Sequence, residues 1–194
     1  DSLSDFGNKK DTAIGRFARS ANLMRTNEVG RYSDGENFAD IIWKLTGGEP
    51  LIQRDRERTN ELTRSHMSLE NSTNGSPSGI SFVNYAVGGE VTVASSNPAN
   101  KLGLTTIGEQ KRQYIKELDA ESINNREKPE TALHIIWTGL NDTVTDGKGP
   151  EEMLRVIDKI DQITQEIRER VGRDGTKAEF LLINNPNPQE AVRF

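Results

Sequence analysis

The stretch Ala132-Leu133-His134-Ile135-Ile136-Trp137-Thr138, followed at once by Gly139-Leu140-Asn141-Asp142, decides the fold. A short, continuous apolar run that stops on a glycine and a polar pair reads as a strand buried on both faces and running into a turn. Pro150 then opens an amphipathic helix with Met153, Leu154, Ile157, Ile160, Ile163, Ile167 and Val171 on one face, and Gly172 closes it. Lys177–Asn184 (KAEFLLIN) is a further buried strand, ending on the turn-rich Asn185-Pro186-Asn187-Pro188. Strand, helix, strand in this order calls for a parallel pair joined by a crossover.

Upstream the same alternation recurs. Ile80–Val87 reads as a buried strand that ends on Gly88-Gly89, and Thr105–Leu118 as a helix with Ile107, Tyr114, Ile115 and Leu118 inward. Glu36–Leu45 sets Phe38, Ile41, Ile42 and Leu45 at helical spacing before Gly47-Gly48, and a short helix is expected near Ile14–Leu23 within the otherwise loop-like residues 1–35. Residues 53–77 are dominated by charged and small polar side chains and read as a long loop. The fold class is therefore α/β, an open, doubly wound parallel sheet in one domain. In such sheets ligands bind outside the carboxyl ends of the strands, which selects the turns after Ala86, Thr138 and Asn184.

Composition narrows the function classes. A net charge of -5 offers no basic footprint for nucleic acid and no attraction to an anionic membrane surface. With no cysteine there is no disulfide, no thiolate metal site and no cysteine nucleophile. The carboxylates are scattered and the histidines isolated, so no metal and no cofactor is expected. Phosphate-cradling glycine motifs are missing too, which argues against a flavodoxin-like nucleotide binder. The apolar runs are strand-length, well below the ~20 residues that a membrane-spanning helix needs.

Three segments carry the chemistry: Asp1-Ser2-Leu3-Ser4-Asp5-Phe6-Gly7-Asn8, Asn84-Tyr85-Ala86-Val87-Gly88-Gly89 and Gly139-Leu140-Asn141-Asp142. Each alone also reads as ordinary loop chemistry: the first as a turn or helix cap, the second as a turn, the third as a cap for the next helix. Together, and in this order, they resemble the first three sequence blocks of the GDSL or SGNH hydrolase family. Gly30–Phe38 (GRYSDGENF) also resembles the G-R-[FY]-S-[ND]-G stretch that follows the first block in many members; a turn and helix start is the plainer role for Arg31 and Asp34.

The resemblance implies the three-layer α/β/α, flavodoxin-like SGNH fold and a carboxylic ester hydrolase, an esterase or lipase, acting through an acyl-serine intermediate. Ser2 is then the nucleophile, and the oxyanion hole is built from the backbone N–H groups of Ser2 and Gly89 and the side-chain amide of Asn141. Removing one such donor typically costs ~3 kcal/mol of barrier stabilisation. The implied substrate is a small-molecule, lipid or acylated-carbohydrate ester, and a secreted location is slightly favoured.

The family's general base is a histidine in a late Asp-x-x-His block, which these residues do not contain. His66 reads as a solvated loop residue and His134 as a structural residue of the sheet. The chain also opens without the strand that would hold the nucleophile turn. The expectation is thus residues 1–194 as a single SGNH domain fragment, incomplete at both ends, with little esterase activity by itself. An acyltransferase using the same residues, or a binding module that has lost the base, are the alternative readings.

Overall fold

The computed structural model describes residues 4–11, 13–21, 31–33, 36–46, 57–58, 63–68, 81–98, 105–120 and 131–185. They belong to two compact units, Asp1–Gly88 and Gly89–Phe194.

The first unit contains helices α1 (Asn8–Asp11), α2 (Ala13–Ser20) and α3 (Phe38–Leu45), and strands β1 (Glu57–Arg58), β2 (Thr63–Ser68) and β3 (Ser81–Asn84). α3 starts where it does because Asn37 caps it. The Asn37 side chain accepts the N–H groups of Ala39 (3.0 Å) and Asp40 (3.2 Å), and the Asp40 carboxylate accepts the Asn37 N–H at 2.7 Å, a reciprocal capping box. The helix buries Ala39, Asp40 and Trp43 rather than the expected Ile41 and Leu45, which are 50% and 80% exposed. Trp43 sets this face: it joins Phe6 and Ala39 in one cluster, with Phe82 of β3 packed against it at a ring separation of 5.7 Å.

The strands β1, β2 and β3 form an antiparallel sheet in that order, with His66 opposite Val83. Two expectations are corrected here. Residues 53–77 contain β1 and β2, and the strand after residue 80 pairs antiparallel rather than joining a parallel sheet. The polar composition of TRSHMS misled because an antiparallel ladder is held by backbone hydrogen bonds and can present a face to water.

The second unit contains α4 (Ile107–Asp119), β4 (Thr131–Ile136), α5 (Leu140–Val144), α6 (Pro150–Gly172) and β5 (Lys177–Leu182). β4 and β5 are parallel, from Thr131 opposite Lys177 to Ile136 opposite Leu182, with α5 and α6 in the crossover. A parallel bridge also joins Val91 to Thr106 at the start of α4. The α/β class holds, as mixed helix and strand with a two-stranded parallel sheet.

α6 has the expected ends: Gly149 is its N-cap, Pro150 its first residue, and the Glu152 carboxylate accepts the Gly149 N–H at 3.1 Å. Its buried face runs through Val156, Ile163, Thr164, Ile167 and Val171, while Leu154 and Ile157 are exposed. Once Val156 faces inward, Leu154 lies about 160° round the helix from it and must face out. The strands, too, are less buried than expected. Leu133 of β4 and Leu181 and Leu182 of β5 are exposed among the described residues, because a two-stranded sheet offers few neighbours to cover both faces. No described helix is long and apolar enough to cross a membrane.

Candidate functional site

In the first unit the first two sequence blocks are stitched together by side chains. The fully buried Asp5 carboxylate accepts four backbone N–H groups: Gly7 (2.7 Å), Asn8 (2.5 Å), Lys9 (3.3 Å) and, from the second block, Gly88 (2.7 Å). Burial pushes the Asp5 carboxyl above the usual carboxylate range, while these donors pull the other way by favouring its charge. Asn8 donates through Nδ2 to the carbonyls of Asn84 (3.0 Å) and Ala86 (2.8 Å), and Asn84 donates through its own Nδ2 to the Ser4 carbonyl at 2.7 Å. The helix-cap reading of this block therefore applies to Asp5, which satisfies the first N–H groups of α1. Ser2, the expected nucleophile, lies outside the described residues.

Gly88 has a packing reason to be glycine: a Cβ there would come within 2.1 Å of the Tyr32 ring. Burial, and next the Asp5 charge, push the Tyr32 hydroxyl up to about 12. The neighbouring Arg31 is buried, ion-paired with Asp40 and stacked over the Phe6 ring at 4.7 Å. This is the structural role that the sequence suggested for Arg31; Asp34 lies outside the described residues.

The second unit holds the other two expected site residues. Gly89 is left-handed, at φ +75°, with open space where a Cβ would stand. Three residues on, at most about 10 Å along the chain, the N–H groups of Thr92 (2.7 Å) and Val93 (3.3 Å) bind the Asp142 carboxylate. The Thr92 and Thr138 hydroxyls bond each other at 2.8 Å. The turn after Gly89 and the turn after β4 are thus one hydrogen-bonded body. Glu90 is buried as well, beside the Gln110 amide, and burial pushes its carboxyl up.

Gly139 enters α5 at φ +102°, and a Cβ would lie 2.8 Å from Asn185 Nδ2. That Asn185 amide donates to the Thr138 carbonyl (2.8 Å) and accepts the Trp137 indole N–H (3.2 Å), so it locks the ends of β4 and β5 together. Asp142 is completely buried and is neutralised by Lys148 at 3.0 Å; Lys148 also donates to the Val93 carbonyl (2.9 Å) and to Asp146. Asn141 is treated differently. Its Oδ1 accepts the Thr145 hydroxyl at 3.0 Å, while its Nδ2 is buried and has no hydrogen-bond partner among the described residues. A buried amide N–H without an acceptor, beside a positive-φ glycine turn, can bind a carbonyl oxygen or the oxyanion derived from it.

His134 is fully engaged in structure. Nε2 meets the Tyr114 hydroxyl at 2.8 Å, Nδ1 meets the Glu179 carbonyl at 3.3 Å, and the ring stacks on Phe180. His66 lies on β2 rather than in a loop, and its side chain is outside the description. Among the described residues no cluster of histidine and acidic side chains could hold a metal ion. Asn8, Asn84, Thr145, Lys148 and Asn185 were not singled out from the sequence. For the first two the signal was present, since both lie inside the quoted blocks. Comparison of the chain with family models, with curated proteins and with solved structures finds no match.

Proposed function

We propose that this chain carries the acyl-transfer centre of a serine ester hydrolase of the GDSL or SGNH type, on a three-layer α/β/α, flavodoxin-like sheet. In this reading Ser2 Oγ attacks the ester carbonyl, and the negative charge that develops on the carbonyl oxygen is taken up by the N–H groups of Ser2 and Gly89 and by Asn141 Nδ2. The alcohol leaves with a proton, and water then releases the acid from the acyl-serine. His134 does not act as the general base, because both of its ring nitrogens are occupied.

The observation that carries the reading is the Asn141 amide: its Nδ2 is buried and without an acceptor among the described residues, and its Oδ1 is held by Thr145. The brace from Asp142 to Thr92 supports it by tying the two turns together, and the left-handed Gly89 leaves open space beside its backbone.

The test is p-nitrophenyl butyrate hydrolysis by the intact protein, together with intact-mass detection of a fluorophosphonate adduct. Ser2→Ala should abolish both, and Asn141→Ala should lower kcat about 100- to 1000-fold with the adduct site unchanged. Turnover or labelling that survives Ser2→Ala overturns the assignment.

A further inference from the structure

We propose that Thr145 is a positioning residue whose hydroxyl aims the Asn141 amide at the reacting oxygen; the inference rests on the ester-hydrolase reading of Asn141. An asparagine amide offers a donor end and an acceptor end of nearly equal size, and a half-turn about its last torsion exchanges them. Only the donor end stabilises an oxyanion. With the ends exchanged, Oδ1 would stand where negative charge develops and would repel it. Something must hold one end of the amide so that the other faces the reacting oxygen.

Thr145 tethers the amide from one helical turn away: a hydroxyl both donates and accepts, so it can hold either end, and an oxyanion, an acceptor only, takes Nδ2 at the other. Thr145 Oγ1 donates to Asn141 Oδ1 at 3.0 Å, while Nδ2 is buried and has no partner among the described residues. The backbone keeps the two residues in register: the N–H groups of Thr145 (3.1 Å) and Asp146 (2.9 Å) both bind the Asn141 carbonyl, and that of Lys148 binds the Asp142 carbonyl at 2.9 Å. Thr145 is itself exposed, so its hydroxyl is not needed to fill or satisfy the core. A hydroxyl there can bond to water at no cost, which makes its bond to a site amide a matter of orientation rather than of folding.

The experiment is a double-mutant cycle on the intact protein with p-nitrophenyl butyrate. Thr145→Val keeps the shape and removes the donor, so kcat should fall about tenfold with KM held within about twofold, in line with losses seen when a ligand-orienting partner is removed. Thr145→Ser should restore the parental kcat. In an Asn141→Ala background Thr145→Val should change nothing further, because no amide is left to orient. Melting temperatures should stay within about 4 °C of the parent for the Thr145 variants, as for other surface substitutions. A parental kcat in Thr145→Val, or an equal loss with and without Asn141, overturns the role of Thr145 while leaving the hydrolase reading standing. Turnover that is absent, or unaffected by Ser2→Ala or Asn141→Ala, overturns that reading and this inference with it.

Discussion

Replacing Arg31 by methionine should remove about 4 kcal/mol from the stability of the first unit. The guanidinium is 1% exposed and pairs with an Asp40 carboxylate that is 0% exposed. Without it, Asp40 keeps the Asn37 N–H on Oδ2 but loses its counter-charge. Leaving one member of a buried pair uncompensated costs about 3–5 kcal/mol, and the lost stacking on Phe6 falls within that range. For a unit of this size the melting temperature should fall by roughly 15–30 °C. Thermal and urea unfolding followed by circular dichroism would measure it, beside Asp40→Asn and the double variant. The double variant should be more stable than Arg31→Met alone, since Asp40→Asn removes the stranded charge while the carbonyl of the new side-chain amide can still accept from Asn37. A loss below about 1 kcal/mol, or a double variant as unstable as the sum of the singles, would refute the argument. The consequence extends to the first turn of the chain, because Asn37 Nδ2 also holds the Asp5 carbonyl at 3.3 Å.

Two further outcomes follow from the second unit. Gly139→Ala should cost about 3 kcal/mol in urea unfolding, from roughly 1–2 for a left-handed alanine plus the displaced Asn185 hydrogen bonds, whereas Gly89→Ala, equally left-handed but with open space, should cost only the backbone part; equal losses at the two positions would contradict this. Burial pushes His134 below the usual histidine range, so the fold favours the neutral ring, and its contribution to stability is present above about pH 6.5 and is lost as pH falls through the lowered value. Melting temperature against pH from about 7.5 to about 5 should therefore decline less in His134→Gln than in the parent, and parallel curves would exclude the effect.

What the sequence revealed of the fold follows a physical divide. α6 could be bounded at its start because Pro150 acts locally, through a fixed φ; at its end Gly172 is not left-handed, and the left-handed turn comes at Gly175, φ +80°. β4 and β5 were legible as apolar runs, and their parallel pairing followed from the helix between them. β2 was not legible, since Thr63–Ser68 has no apolar run or alternation and its strand state depends on pairing with β3. The inward faces of α3 and α6 were misjudged for a related reason. Counting apolar residues weights Leu154 and Val156 alike, but only one of two positions so far apart round the helix can meet the core.

The adjacent residues Asn141 and Asp142 show why part of the candidate site needed three dimensions. From sequence they are one polar pair after a strand. In the fold Asp142 collects two backbone N–H groups and the Lys148 ammonium, and this satisfaction is what permits a carboxylate to be completely buried. Asn141, one residue earlier, leaves a buried amide nitrogen with no acceptor among the described residues, a state that costs about 1–3 kcal/mol. A structure that completes the bonds around Asp142 and, among the described residues, leaves Asn141 Nδ2 without an acceptor has the means to hold the turn rigid and an N–H that an arriving oxygen could satisfy. That contrast is an argument for a binding role at Asn141 which does not depend on the DSLSD segment. It also sets the order of experiments, because Asn141→Ala should relieve a folding cost while removing function, and a variant that gained stability and lost turnover together would distinguish a site residue from a cap.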